Sequence, residues 1–121
     1  MKTINKLCIL IAVVFIYSCT NNSVDDLIDA TPIPTIVTYN DNVKSIIDNN
    51  CISCHSDPPV NGAPISLVTF EQVRNAVENN GLISRISSND QGFLMPFGGP
   101  RLPQNLIDII TQWETDGLPE D

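Results

Sequence analysis

Apolar residues recur at helical spacing in several segments of the chain. The first set comprises Tyr39, Val43, Ile46 and Ile47, and this spacing predicts a helix over residues 40–49. A second helix is predicted to begin at Thr69, whose hydroxyl can cap it while Gln72 reaches back in a capping box. Gly81 is expected to end that helix, because glycine is the usual residue just beyond a helix C-terminus.

Two more helices follow the same periodicity. A short third helix is predicted where Leu82, Ile83 and Ile86 recur, and a last helix over residues 103–116. The apolar side of the last helix is formed by Leu106, Ile107, Ile110 and Trp113. A Gly/Pro-rich loop over residues 89–103 separates these helices, and no segment shows the alternation of a strand. The sequence therefore predicts an all-α domain of three to four helices.

The N-terminus has the layout of an export signal. Lys2 and Lys6 precede an apolar run that ends at Tyr17, which is shorter than the roughly 20 residues of a membrane-spanning helix. The run ends in Ser18-Cys19 and resembles the lipobox of bacterial lipoproteins, although Tyr17 is larger than the usual residue there. The resemblance implies a signal peptide over residues 1–18, lipidation of Cys19, and attachment to a membrane of the bacterial cell envelope, facing the periplasm or the cell surface. An uncleaved N-terminal anchor is the alternative.

The polar, proline-containing stretch that follows predicts a tether. Pro32 and Pro34 favour extended backbone, so residues 19–38 are predicted to form a flexible, lipid-anchored tether and residues 39–121 the folded domain. Loss of Lys2 and Lys6 with the signal leaves four basic and 14 acidic residues, a net charge of −10. This charge argues against nucleic acid as a partner and favours a partner protein with a basic docking surface.

The segment Cys51-Ile52-Ser53-Cys54-His55 carries the candidate chemistry. Two cysteines separated by two residues and followed by histidine have the spacing of covalent c-type haem attachment. In this interpretation Cys51 and Cys54 bind the haem and His55 ligates its iron. A domain of about 80 residues with few aromatic side chains also fits a buried cofactor, because cores of this size are marginal alone.

Three other interpretations of the cysteine pair stay open. A zinc site needs four ligands, and after lipidation of Cys19 the chain offers only Cys51, Cys54 and its single histidine, His55. A thioredoxin-like redox pair belongs in a βαβ setting, and no strands are predicted here. A structural disulfide closing so short a loop would contribute little chain entropy. Haem attachment is favoured over all three.

Met95 is the candidate for the second axial ligand of the iron. After removal of Met1 it is the only thioether, and no second histidine exists. It lies 40 residues after His55 within the Gly/Pro-rich loop, and Pro96 disfavours helical backbone at Met95. The competing interpretation is that Met95 fills the core. Lys44, the only lysine left after signal removal, lies on the helix before the cysteines.

The segment from Tyr39 to Gly117 resembles the small mono-haem cytochrome c domains of class I found in bacteria. The resemblance is carried by the Cys51–His55 motif, by Met95-Pro96 in a glycine-rich loop, and by a last helix containing Trp113. A Ser-like cap at the start of the last helix, common in the family, is missing. The resemblance implies a cytochrome c-like fold around one covalent haem c, whose iron is ligated by His55 and Met95.

An iron with two protein ligands has no open position for a substrate. The expected function is therefore one-electron transfer to a redox partner, and the chain is predicted not to be an enzyme. The distal face is expected near Phe93, Leu94 and Phe97, and Arg85 and Arg101 are candidate partners of the haem propionates. Two alternatives are a haem sensor or peroxidase-like enzyme with a displaceable distal ligand, and a haem-free lipoprotein whose cysteines form a redox or structural disulfide.

Overall fold

The computed structural model describes residues 32–121. The predicted signal peptide, the lipidation of Cys19 and most of the predicted tether lie outside these residues. Across residues 32–121, every helix is too short or too polar to cross a bilayer.

Four helices connected by loops make up the described part of the chain. A π-helical turn, Tyr39–Val43, continues directly into α1, Lys44–Asn50. The other helices are α2, Phe70–Asn79, α3, Leu82–Ser87, and α4, Gln104–Thr115. Within residues 32–121 there is no strand. Helices thus occur at the four predicted places, while the cytochrome c-like arrangement around a haem stays a prediction.

Helix α2 has the predicted start and end. Thr69 Oγ1 accepts a hydrogen bond from the Gln72 backbone N–H at 3.3 Å, and Gln72 Oε1 accepts one from the Thr69 N–H at 3.1 Å. This reciprocal pair confirms the predicted capping box. The chain then turns at Gly81, whose φ of 65° is a left-handed conformation that glycine adopts without steric cost.

An aromatic cluster joins the first helical segment to α2 and α4. The ring centroids of Tyr39, Phe70 and Trp113 lie 5.4 to 6.2 Å apart, in the tilted arrangements that aromatic pairs prefer. Val43 is fully buried in the same core. The Tyr39 and Trp113 rings thus join the first helical segment to the last helix.

The two ends of the described chain meet in a segment pair that we call the terminal clasp, residues 37–40 and 116–121. The backbone N–H of Val37 donates to Asp116 Oδ2 at 2.8 Å, and the Val37 side chain is 0% exposed. The packed part of the molecule consequently begins at Val37, two residues before the predicted start at Tyr39.

One carbonyl oxygen in the terminal clasp accepts hydrogen bonds from both the first helical segment and α4. The carbonyl oxygen of Pro119 accepts hydrogen bonds from the Tyr39 N–H at 3.0 Å and from Trp113 Nε1 at 2.8 Å. The Asn40 N–H donates to the Glu120 carbonyl at 3.0 Å. Because a buried indole N–H needs an acceptor, the C-terminal residues complete the core around Trp113.

Candidate haem-attachment site

The motif residues lie on one turn at the end of α1. The Cys51 N–H donates to the Ile47 carbonyl at 2.8 Å, which keeps Cys51 attached to the helix. The Cys51 carbonyl then accepts the N–H groups of both Cys54, at 3.2 Å, and His55, at 3.0 Å. A single turn therefore brings together the two thiols and the imidazole that the sequence analysis singled out.

The imidazole of His55 is fixed by a main-chain carbonyl. His55 Nδ1 lies 2.8 Å from the carbonyl oxygen of Ile65. Since a carbonyl oxygen can only accept, Nδ1 is the donor in this contact, and in a neutral imidazole the lone pair then lies on Nε2. The backbone of the same two segments is joined by the Leu67 N–H, which donates to the His55 carbonyl at 2.8 Å. Nε2 is thus the nitrogen available to a metal, in the way that hydrogen bonds orient metal-ligating histidines elsewhere.

The two cysteine side chains have different surroundings. Cys51 packs against the hydrophobic core, and this burial raises the pKa of its thiol to about 11. Cys54 instead has polar neighbours: Asn61 Nδ2 lies 3.6 Å from its sulfur and Ser53 Oγ lies 4.0 Å from it. Neither cysteine forms a disulfide. The free thiol is the form of cysteine that adds to a haem vinyl group.

The loop after the motif brings the Ile65 carbonyl next to the His55 imidazole. The Val60 N–H donates to the Cys54 carbonyl at 2.9 Å, and the Ala63 N–H donates to the Val60 carbonyl at 3.0 Å. These two bonds fold the loop back along the motif. They lead the chain to Ile65 beside the imidazole.

Met95 lies on a different loop, attached to α3. Its N–H donates to the Arg85 carbonyl at 3.2 Å, and its half-buried side chain packs against the core. The preceding residue is anchored as well, because the Leu94 N–H donates to the Asp90 carbonyl at 2.7 Å. The backbone at Met95 is thus held firmly, while the pairing of Met95 with His55 across an iron stays a prediction.

The three apolar residues expected near the distal face differ in exposure. Leu94 is 1% exposed, whereas Phe93 and Phe97 are 39% and 77% exposed. The Arg85 guanidinium carbon lies 4.5 Å above the centre of the Phe93 ring, a cation–π contact. Exposed aromatic rings flanking Met95 leave apolar surface uncovered, and a large apolar ligand would cover it.

Of the two arginines considered for the propionates, Arg101 already has protein partners. Its Nε donates to the Ser87 carbonyl at 3.1 Å, and its Nη2 donates to Gln104 Oε1 at 2.8 Å. Arg101 therefore connects the end of α3 to the start of α4. Arg85 has its cation–π contact with Phe93 instead, so it is the arginine with more N–H groups left for another ligand.

We compared the chain with known proteins and structures. No protein family, curated protein or solved structure matches this chain. The candidate site therefore rests on the residues and geometry described above.

The donor set fits a haem better than a metal held by protein ligands alone. Within residues 32–121, no three His, Cys, Asp or Glu side chains are grouped so that they could hold a metal ion. A porphyrin provides four of the iron ligands itself, so the protein needs to add only one or two. The imidazole of His55 could supply one such ligand, and the two thiols on the same turn could bind the edge of the porphyrin.

Two residues of the site were missed by the sequence analysis. Ile65 contributes through its carbonyl oxygen, and every residue type has such an oxygen, so no sequence signal marks it. Asn61 is different, because Asn61-Gly62 is a recognisable turn pair. That pair could have located the tight turn that lies against Cys54.

Proposed function

We propose that this chain is a one-electron carrier, a membrane-tethered c-type cytochrome with a single haem. Cys51 and Cys54 hold the haem covalently, and His55 and Met95 ligate its iron. When bound, the haem supplies an iron centre that gains and loses one electron. The protein positions the iron ligands and encloses the group, and it is not an enzyme.

The observation that carries this proposal is the hydrogen bond from His55 Nδ1 to the Ile65 carbonyl. It selects the tautomer with a free lone pair on Nε2, and it increases the basicity of that nitrogen. Histidines that ligate a metal usually have their other ring N–H held by an acceptor in this way. The bond therefore supports the haem interpretation over the haem-free one.

The surroundings of the cysteines support covalent attachment. The turn that places both thiols beside His55 is made by a single carbonyl, that of Cys51. Any group bound to both sulfurs would consequently lie next to the imidazole. This proximity is what a short Cys-x-x-Cys-His segment provides, and a zinc site would require further ligands.

Met95 supports electron transfer over catalysis. A thioether favours ferrous iron, and a second protein ligand leaves no coordination position for oxygen or peroxide. The Met95 backbone is anchored to α3 through the Arg85 carbonyl. A loop anchored in this way suits a permanent ligand better than a displaceable one.

The predicted lipid on Cys19 places the carrier at a membrane of the bacterial cell envelope. A lipid tether raises the effective concentration of the domain near a redox partner in the same membrane, which suits weak and fast encounters. The acidic surface favours a partner with basic residues around its own electron entry point.

The test is to express the full chain together with a bacterial haem-attachment system and to record its spectra. Haem that survives denaturation, with the near-infrared sulfur-to-iron band, is the expected result. High-spin iron that binds carbon monoxide readily would favour the sensor or peroxidase-like enzyme. A chain that acquires no haem would contradict both proposals and leave the disulfide lipoprotein.

A further inference from the structure

The Cys54 sulfur lies against a tight turn formed by residues 60–63. The Ala63 N–H donates to the Val60 carbonyl at 3.0 Å, and the two central residues have positive φ, 53° at Asn61 and 80° at Gly62. This is the pattern of a type I′ turn, in which both central residues are left-handed. Asn-Gly is the residue pair most suited to it.

This turn contacts Cys54 at two atoms, the carbonyl oxygen and the sulfur. The Val60 N–H donates to the Cys54 carbonyl at 2.9 Å, and the next residue, Asn61, places its Nδ2 3.6 Å from the Cys54 sulfur. An amide N–H donates and a sulfur accepts weakly. The left-handed backbone and the contact with the sulfur thus belong to the same residue, Asn61.

The other cysteine is held by a different means. Cys51 is fixed by packing against the core and by its position at the end of α1. Cys54 lies on the more polar side of the turn, beside the exposed residues Ser53 and Asn61. A side chain on such a surface can rotate among its staggered conformations unless a partner selects one.

We propose that Asn61 is a positioning residue for the second haem attachment. Its side-chain amide holds the Cys54 sulfur in the orientation from which the thioether forms. This inference rests on the proposed function, since a haem vinyl group is the reaction partner. In that step the sulfur–carbon bond forms, the vinyl double bond becomes single, and the thiol hydrogen passes to the other vinyl carbon. No oxidant or reductant is consumed.

The competing explanation is that Asn61 serves only the turn, because asparagine tolerates left-handed backbone. The variant Asn61→Gly separates the two explanations. Glycine adopts the same φ without strain, so the turn is kept while the amide is removed. Asn61→Asp keeps the shape of the side chain and replaces the donor with an acceptor.

A second Asn-Gly pair in the chain offers a matched control. Asn80 precedes Gly81 at the boundary of α2 and α3, is exposed, and donates its side-chain amide to the Asn75 carbonyl at 3.3 Å. The variant Asn80→Gly removes an equivalent amide away from the cysteines. Any general effect of exchanging an exposed asparagine for glycine should appear in this control.

The experiment matures the full chain and its variants with a haem-attachment system. The pyridine haemochrome spectrum then distinguishes haem with two thioethers from haem with one. Each protein is also denatured, alkylated with iodoacetamide and mapped by mass spectrometry, so that any thiol left unattached is located. Far-UV circular dichroism and thermal unfolding check that each variant is folded.

We expect unattached Cys54 to rise several-fold in Asn61→Gly and in Asn61→Asp, with Cys51 attached and with a one-thioether spectrum. Wild type and Asn80→Gly should carry two thioethers. Two complete thioethers in both Asn61 variants would overturn this inference and leave the proposed function intact. If Asn61→Gly is unfolded, Asn61→Asp decides: two complete thioethers in that variant overturn the inference. A wild-type chain without covalent haem would overturn both.

Discussion

At His55, one hydrogen bond determines which ring nitrogen is available for a metal. The Ile65 carbonyl takes the proton-bearing Nδ1, so Nε2 is free. The acceptor is a main-chain atom, which no substitution at residue 65 removes directly. The orientation of the imidazole depends on the path of the loop over residues 56–66, and that path is set by the bonds around Val60.

Replacement of Met95 by alanine tests the distal ligand. In the haem-loaded protein, Met95→Ala should remove the near-infrared sulfur-to-iron band, allow carbon monoxide to bind, and lower the reduction potential by on the order of 0.1 V. Phe97→Ala is the matched control, because Phe97 lies in the same loop and is highly exposed. A Met95→Ala spectrum equal to that of Phe97→Ala would refute the assignment.

The buried Cys51 thiol predicts a pH dependence for the chain before haem attachment. Its pKa of about 11 exceeds that of a thiol in an unfolded chain, so the unfolded state loses this proton first as the pH rises. The contribution to stability is complete below the ordinary thiol pKa and is lost as the pH rises toward 11. Between about pH 8 and about pH 10.5, wild type should lose about 2 kcal/mol more than Cys51→Ala.

Urea unfolding at both pH values measures this difference. Burial also raises the pKa of the Tyr39 hydroxyl, but Tyr39 is present in both proteins and its effect cancels in the comparison. Equal losses of stability in wild type and Cys51→Ala would contradict the prediction.

Among the helices, α2 has the best-defined start. Both hydrogen bonds of the capping box are present at Thr69 and Gln72. Thr69→Ala should therefore lower the free energy of unfolding by about 1 kcal/mol, measured by urea denaturation. Thr115→Ala makes the same exchange at the exposed end of α4 and should change stability by less than about 0.5 kcal/mol.

The parts of the fold that depend on local sequence were predictable, as the capping box shows. Apolar spacing located all four helices, but it could not distinguish the π-helical turn at Tyr39–Val43. There the Lys44 N–H reaches back to the Tyr39 carbonyl, and spacings of four and five residues expose nearly the same face. The terminal clasp was missed, because its bonds join residues about 80 positions apart and most of their atoms belong to the main chain.

The candidate site likewise has some residues that could be predicted from the sequence and others that could not. The three motif residues could be recognised because they lie within five positions of the chain and carry distinctive side chains. The acceptor at Ile65 could not, since its contribution is a carbonyl. The position of Met95 relative to His55 depends on how two separate loops pack, and scarcity of other ligands is what singles Met95 out.

At the scale of the whole described part, residues 32–121, each of the four basic side chains has a contact within the protein. Lys44 pairs with Asp48 and Arg74 with Glu78. Arg85 lies over Phe93, and Arg101 binds main-chain and amide oxygens. The acidic residues greatly outnumber these four basic ones, so the exposed surface presents mainly negative charge to an approaching partner.

This surface predicts the salt dependence of electron transfer in the haem-loaded protein. Reduction by the hexaammineruthenium(II) cation should slow several-fold as ionic strength rises from about 10 mM to about 0.5 M. Reduction by the ferrocyanide anion should accelerate over the same range. Stopped-flow absorbance measures both rates. If neither rate changes with ionic strength, the negative charge of the surface lies away from the place where electrons enter the haem.

The terminal clasp predicts where the stable domain begins. Val37 is fully buried and its neighbour Ile36 is 65% exposed. Val37→Ser should therefore lower the free energy of unfolding by about 2 kcal/mol, whereas Ile36→Ser should leave it nearly unchanged. Thermal unfolding of the two variants gives the comparison, and equal effects would place Val37 in the tether instead.

Because the terminal clasp joins residues 37–40 to residues 116–121, it also determines where a mechanical load from the N-terminal side would act. A pull on the proposed lipid tether would enter the domain at Val37 and load the hydrogen bond to Asp116 first. The adjoining bonds to Pro119 and Glu120 share that load with the C-terminal residues. Tension on such a tether would therefore load the hydrogen bonds of the terminal clasp before it reached the helices of the domain.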